Sequence, residues 1–137
     1  MKTRIVTAFS MIIMLLFLTA CGKNEIEGAY NWQIGEFTFT DQDNKAFGLA
    51  DLEGKVWVAD FIFTNCETVC LPMTFNMAKL QNMAKEEGIE NLEFVSFSVD
   101  PELDSPAVLK EYGKQNKADL KNWHFLTGYT QQEIEKF

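Results

Sequence analysis

The apolar positions of this chain change period several times, and each change marks an element. From Ile5 to Leu18 the chain is apolar almost throughout, behind the basic start Met1-Lys2-Thr3-Arg4. The run falls short of the roughly 20 residues that a comfortable membrane-spanning helix needs. A basic start, an apolar middle and small residues after it predict a secretory signal over residues 1–20. Residues 21–34 read as a polar tether, and residues 35–137 as one domain without repeats or a second linker. Within it, Phe37-Thr38-Phe39-Thr40 alternates as a strand, Asp41 to Lys45 is a turn, and Ala46 to Leu49 returns as a hairpin. Val56 to Phe63 is nearly all apolar, the pattern of a central strand covered on both faces.

After a loop from Thr64 to Leu71, Pro72 suits the first turn of a helix. Met73, Met77, Leu80 and Ala84 then fall on one helical face, and Gly88 stops the helix. Leu92 to Val99 is a further strand, ended by Asp100-Pro101. Ser105-Pro106 starts a helix to about Lys117, Trp123 to Leu126 is a short strand, and Thr130 to Glu133 forms a capping box for a third helix. Strands alternating with helices predict an α/β domain with a largely parallel centre. Its chemistry belongs where the central strand ends and its helix begins.

Composition narrows the function. Twelve Lys and Arg face 20 Asp and Glu, a formal charge of −8, which argues against a nucleic-acid partner because phosphate binding needs a basic face. One His and three Cys exclude a His-rich zinc site and a multi-bridge disulfide scaffold. Leu18-Thr19-Ala20-Cys21-Gly22 resembles the lipobox of bacterial lipoproteins, which implies a lipidated Cys21 as mature N-terminus. Removing residues 1–20 takes away Lys2 and Arg4 and no acid, leaving a charge of −10. The expected location is the outer face of a bacterial cytoplasmic membrane, where disulfides persist.

Cys66 and Cys70 stand three residues apart in the loop. Two positions i and i+4 on an ideal helix are too far apart for an unstrained disulfide, so Cys66 belongs in the loop and Cys70 near the first turn. A thiol at a helix N-terminus meets unpaired N–H groups that favour the thiolate, which is both nucleophile and soft-metal ligand. Three readings stay open: a structural disulfide, an exchangeable redox pair, or a two-thiolate copper site. A bridge closing so short a loop gains little chain entropy, which weakens the first. Two thiolates suit Cu(I) better than zinc, which prefers four ligands.

Phe61 to Met73, Phe97 to Pro106 and Phe125 to Gly128 together resemble the Sco/SenC family of copper chaperones, in the family's order. The resemblance implies a thioredoxin-like, three-layer α/β domain with an N-terminal β-hairpin. It also implies a membrane-attached factor that assembles the binuclear copper centre of cytochrome c oxidase by delivering copper or reducing thiols. On it, Cys66 and Cys70 are copper ligands and the redox pair, and Asp100 is an outer-shell or docking group. The family's third ligand is a His well beyond the Cys loop. His124 matches a segment upstream of it, so the role is not transferred. The ligand His, a C-terminal hairpin and a final helix are expected past Phe137, and the domain reads as incomplete.

Several other residues carry expectations. Asp60, in an apolar strand, is either a buried proton-transfer carboxylate of the kind thioredoxin-like reductases use, or a solvated strand-end acid. Met73, Met77 and Met83 are candidate soft copper donors, but Met73 and Met77 fit the core stripe and core packing is favoured, while Trp57 and Trp123 read as core aromatics. The main alternative function is a membrane-tethered thiol–disulfide oxidoreductase, although its usual Cys spacing is two residues and here it is three. A third reading is a remnant that binds Cu(I) weakly.

Overall fold

The computed structural model describes residues 28–30, 32–66 and 68–137. The expected signal over residues 1–20 and Cys21 lie outside the described residues. The chain divides into Met1–Ile34 and Gly35–Phe137. The second unit holds strands β1 (Thr38–Thr40), β2 (Ala46–Gly48), β3 (Val56–Ile62), β4 (Leu92–Ser98) and β5 (Trp123–Leu126). Its helices are α1 (Cys70–Glu86), α2 (Pro106–Gln115) and α3 (Gln131–Ile134). β1 and β2 form an antiparallel hairpin, and β3, β4 and β5 form a parallel sheet with β4 in the middle.

Strand periodicity assigns β4 to both layers. Phe94 packs into a cluster with Ile62, Leu109, Trp123 and Phe125 and with Met77, Ala78 and Ala84 of α1. Val95 and Phe97 point the other way, to Phe37 and Phe47 of the hairpin, Leu126, Tyr129 and Ile134. The expected central strand is the one correction to the sheet. Among the described residues β3 pairs with β4 alone, and Val56 and Phe61 stay exposed. The fully covered strand is β4. An apolar run reports that a strand can be buried, not where it stands in the sheet.

The buried face of α1 also differs from the expected stripe. Met77 and Ala84 are buried, but Met73 and Leu80 are exposed, and Thr74, Ala78 and Gln81 take their places. Two of those three are polar and find distant partners. Thr74 Oγ1 bonds Tyr112 OH at 2.8 Å, and the Gln81 amide bonds the backbone of Asp119 in both directions and Asn122 Oδ1 at 2.7 Å. α1 ends as expected: Gly88 takes φ +71°, its N–H reaches the Lys85 carbonyl, and the Ile89 N–H reaches that of Ala84.

The hairpin covers the outer edge of β5. Thr40 and Thr127 exchange two backbone hydrogen bonds of 2.9 Å. The buried Gln42 side chain continues this pairing, accepting from Phe125 N–H at 2.8 Å and donating to the Trp123 carbonyl. An open strand edge is a template for aggregation, and here the Thr40–Thr127 pair and one side-chain amide cover it. Gly128 permits the approach, for any Cβ at its φ of +85° would collide with the Thr40 side chain.

Candidate metal and thiol site

The site begins where β3 ends. Cys66 N–H donates to the Phe63 carbonyl at 3.2 Å, closing a turn over Thr64 and Asn65. Cys70 is the first residue of α1, and the preceding Val69 offers no side-chain cap. The orphan amide of Cys70 donates instead to Cys66 Sγ at 3.3 Å. Sulfur thus occupies the place where Ser or Asp would cap a helix, in the field of its N-terminal end. Thr68 Oγ1 lies 3.9 Å from the same sulfur. Both thiols are free and both residues are buried.

The two sulfurs are electrostatically unequal. The hydrogen bond from the Cys70 thiol, helped by backbone amides of Thr68, Cys70 and Val69, lowers the Cys66 thiol to about 6 against the opposing effect of burial. Burial pushes the Cys70 thiol up, and its bond to Cys66 and the nearby negative charge of Cys66 and Asp60 push the same way. At neutral pH the pair is one thiolate and one thiol, a nucleophile or soft ligand beside a proton reservoir.

Asp60 faces inward. Its Oδ1 accepts from Ser96 Oγ at 2.6 Å, and Ser96 Oγ in turn accepts from Trp123 Nε1 at 2.9 Å. Its Oδ2 is buried without a partner among the described residues, and burial raises the carboxyl above its usual range despite the Ser96 bond. The solvated strand-end alternative is therefore not what the structure shows. Trp123 is a core aromatic and Trp57 is half-buried against the hairpin cluster. Of the two Met residues expected in the core, Met77 is buried and Met73 is exposed, as is Met83, on α1.

Asp100 follows β4, half-buried, and its carboxylate makes no hydrogen bond among the described residues. Its backbone does the work: the N–H donates to Ser98 Oγ at 3.1 Å, and the carbonyl accepts from Leu103 and Asp104. The acid that touches the Cys loop is Asp104, which sequence reasoning missed. It is 1% exposed and accepts from Thr64 N–H, from Thr64 Oγ1 at 2.5 Å and from Ser98 Oγ at 2.6 Å. Its position, directly before the Ser105-Pro106 helix start, gave it the appearance of an ordinary turn acid.

His124 lies elsewhere. It stands on β5 opposite Val95, stacks on Phe47 with centroids 3.9 Å apart, and lies between Glu93 and Asp41 at 3.5 and 3.9 Å. Among the described residues no three His, Cys, Asp or Glu side chains converge on a metal-sized space.

A family model described as SCO1/SenC matches residues 28–137. The crystal structure of a SCO1/SenC family lipoprotein from Bacillus anthracis is 57% identical with a TM-score of 0.79, over 82% of this chain and 67% of that one. BsSco, described as a Sco-family cytochrome c oxidase assembly protein with a disulfide switch, is 49% identical at a TM-score of 0.76, over 82% and 65%. Bradyrhizobium japonicum ScoI, solved with copper bound, is 33% identical at 0.62, over 74% and 62%. This chain therefore spans about two thirds of these relatives. With the Cys loop and Asp100 segment on a thioredoxin-like frame, and a family match from residue 28 to residue 137, the chain belongs to the SCO1/SenC family.

Proposed function

We propose that this chain carries Cu(I) on Cys66 and Cys70 and hands it to the copper-binding subunit of cytochrome c oxidase. In this reading residues 1–20 are a signal, Cys21 is lipidated at the outer face of a bacterial cytoplasmic membrane, and residues 21–34 tether the domain of residues 35–137. The lipoprotein description of the Bacillus anthracis relative supports the anchor. One observation carries the copper reading: a sulfur lowered to about 6 caps a helix beside a second thiol. Soft thiolates fit Cu(I), which accepts low coordination. Copper here is cargo. Asp100 is retained as an outer-shell or docking group.

The inequality of the thiols favours one second reading, thiol–disulfide exchange. Cys66 thiolate attacks a sulfur of a partner disulfide, and the leaving partner thiolate takes up a proton. Cys70 then loses its proton and attacks Cys66 Sγ, forming the intramolecular disulfide and releasing the second partner thiol. The chain is oxidised by two electrons and the partner reduced by two.

The test is a Cu(I) competition titration of the chain in a Cys21→Ser background, paired with reduction of a model disulfide. One copper per chain and slow disulfide reduction is the expected outcome. Rapid reduction with no copper uptake would favour the second reading instead.

A further inference from the structure

The Asp104 carboxylate is buried, and among the described residues no cation pairs with it. Its three hydrogen-bond donors come from two segments: the Cys loop at Thr64 and the end of β4 at Ser98. A polar group removed from water in this way is costly unless hydrogen-bonded, and here several donors converge on it.

The donors trace a continuous path. Thr64 is gripped twice, through its backbone N–H and its hydroxyl. It occupies the first central position of the turn that Phe63 and Cys66 close. That turn sets where Cys66 Sγ stands when the Cys70 amide reaches it at 3.3 Å. On the other side, Ser98 Oγ donates to Asp104 while accepting the Asp100 amide. One carboxylate thus ties together the Cys loop and the Asp100 segment.

We infer that Asp104 is a positioning residue for the thiol site, holding the Thr64 turn so that Cys66 sulfur is preset at the N-terminus of α1. The copper arm of this inference rests on the proposed function; the geometric arm does not. Without Asp104 the turn keeps its sequence but loses the anchor that fixes its first residue, and each thiol must be ordered when the metal arrives. Outer-shell groups that orient ligands change metal affinity by about 10–100-fold, and the expected loss here is about tenfold.

The experiment compares Asp104→Asn, Thr64→Val and Thr64→Ser in the full chain, by amide hydrogen exchange and by Cu(I) competition. Asn keeps the shape but replaces an acceptor with donors. Val removes the Thr64 hydroxyl, and Ser restores it. Exchange at the Cys66 and Cys70 amides is expected to speed up about tenfold or more in Asp104→Asn and Thr64→Val, relative to the Phe125 amide in β5, with Thr64→Ser near wild type. Cu(I) affinity should fall in the same order. If the loop amides and Phe125 accelerate together, or Thr64→Ser behaves as Thr64→Val, Asp104 only stabilises the fold and the positioning role is lost. If wild type itself takes up no Cu(I), the carrier reading fails while the exchange data still decide the role of Asp104. Should Asp104→Asn not fold, the two Thr64 variants decide it.

Discussion

Two groups of titratable side chains lie about the same sheet and reach opposite ends. Cys70 opens the helix packed on one face, while His124 looks to the hairpin on the other. Around His124 the neighbours are two acids and an aromatic ring, and its buried Nδ1 has no hydrogen-bond partner among the described residues. Its imidazole sits between Asp41 and Glu93, Glu93 also holds Lys55 at 3.0 Å, and Phe47 covers the ring. Around Cys66 the neighbours are the Cys70 amide, the Thr68 hydroxyl and a second thiol, and among the described residues no cation pairs with the sulfur. An imidazole wedged between a ring and two acids is packed into the fold. The Cys66 sulfur, held by N–H donors beside a second thiol, keeps a lone pair to offer outward. Donor atoms alone do not mark a metal site: His124 has the better-known ligand chemistry and the less suitable surroundings.

The comparison breaks most sharply under substitution. Cys66→Ser or Cys70→Ser is expected to weaken Cu(I) binding by more than the roughly 100-fold that loss of an outer-shell group can cost. His124→Gln should leave that affinity within about twofold. The same competition assay measures both, and a His124 effect equal to that of either Cys would erase the distinction between the two groups.

Gln42→Leu comes next. It leaves the Phe125 N–H without its acceptor at the β5 edge, a loss of about 1–3 kcal/mol in urea unfolding. The loss belongs to the hairpin side, so Cu(I) affinity measured well below the unfolding transition should not follow it. Alkylation kinetics sharpen the inequality of the sulfurs. With residue-resolved mass spectrometry, Cys66 should reach half its limiting rate near pH 6, while Cys70 stays slow through neutrality. Equal profiles would contradict the assignment of thiolate and thiol.

The smallest effect is the pH dependence of His124. Burial lowers its pKa, while Glu93 and Asp41 oppose the shift. The unfolded state then binds the proton more readily, so this residue's contribution to stability is present above the unfolded value and falls as pH drops below about 6.5. His124→Gln should flatten that part of the stability profile between about pH 5 and 7. A steeper profile in the variant would reverse the sign.

Local pattern carried much of the architecture. The hairpin, the Ser105 and Thr130 caps and the Gly88 stop rest on contacts within a few residues, and the strands of the parallel sheet show in their own apolar runs, which periodicity and capping chemistry expose. The placement of Cys70 at the start of a helix was legible for the same reason. Burial of Thr74 and Gln81 was not, because their partners are Tyr112 and the Asp119–Asn122 segment, some 40 residues away. Gln42 closing the β5 edge and Asp104 gripping Thr64 belong to the same class: each is an unremarkable turn residue until the fold brings its partner. The rank of β3 and β4 in the sheet was hidden too, since an apolar strand does not announce its neighbours.

The central claim is that Cys66 waits as thiolate, Cys70 as thiol, and copper takes both. The most direct measurement is the number of protons released per Cu(I) bound at about pH 7.5, in weakly buffered solution with the Cys21→Ser chain. Metal binding expels only the protons its ligands still hold. The account predicts one copper per chain and close to one proton released, from Cys70. Two protons would place Cys66 as an ordinary thiol, and none would mean that Cys70 is not a ligand; either result contradicts it.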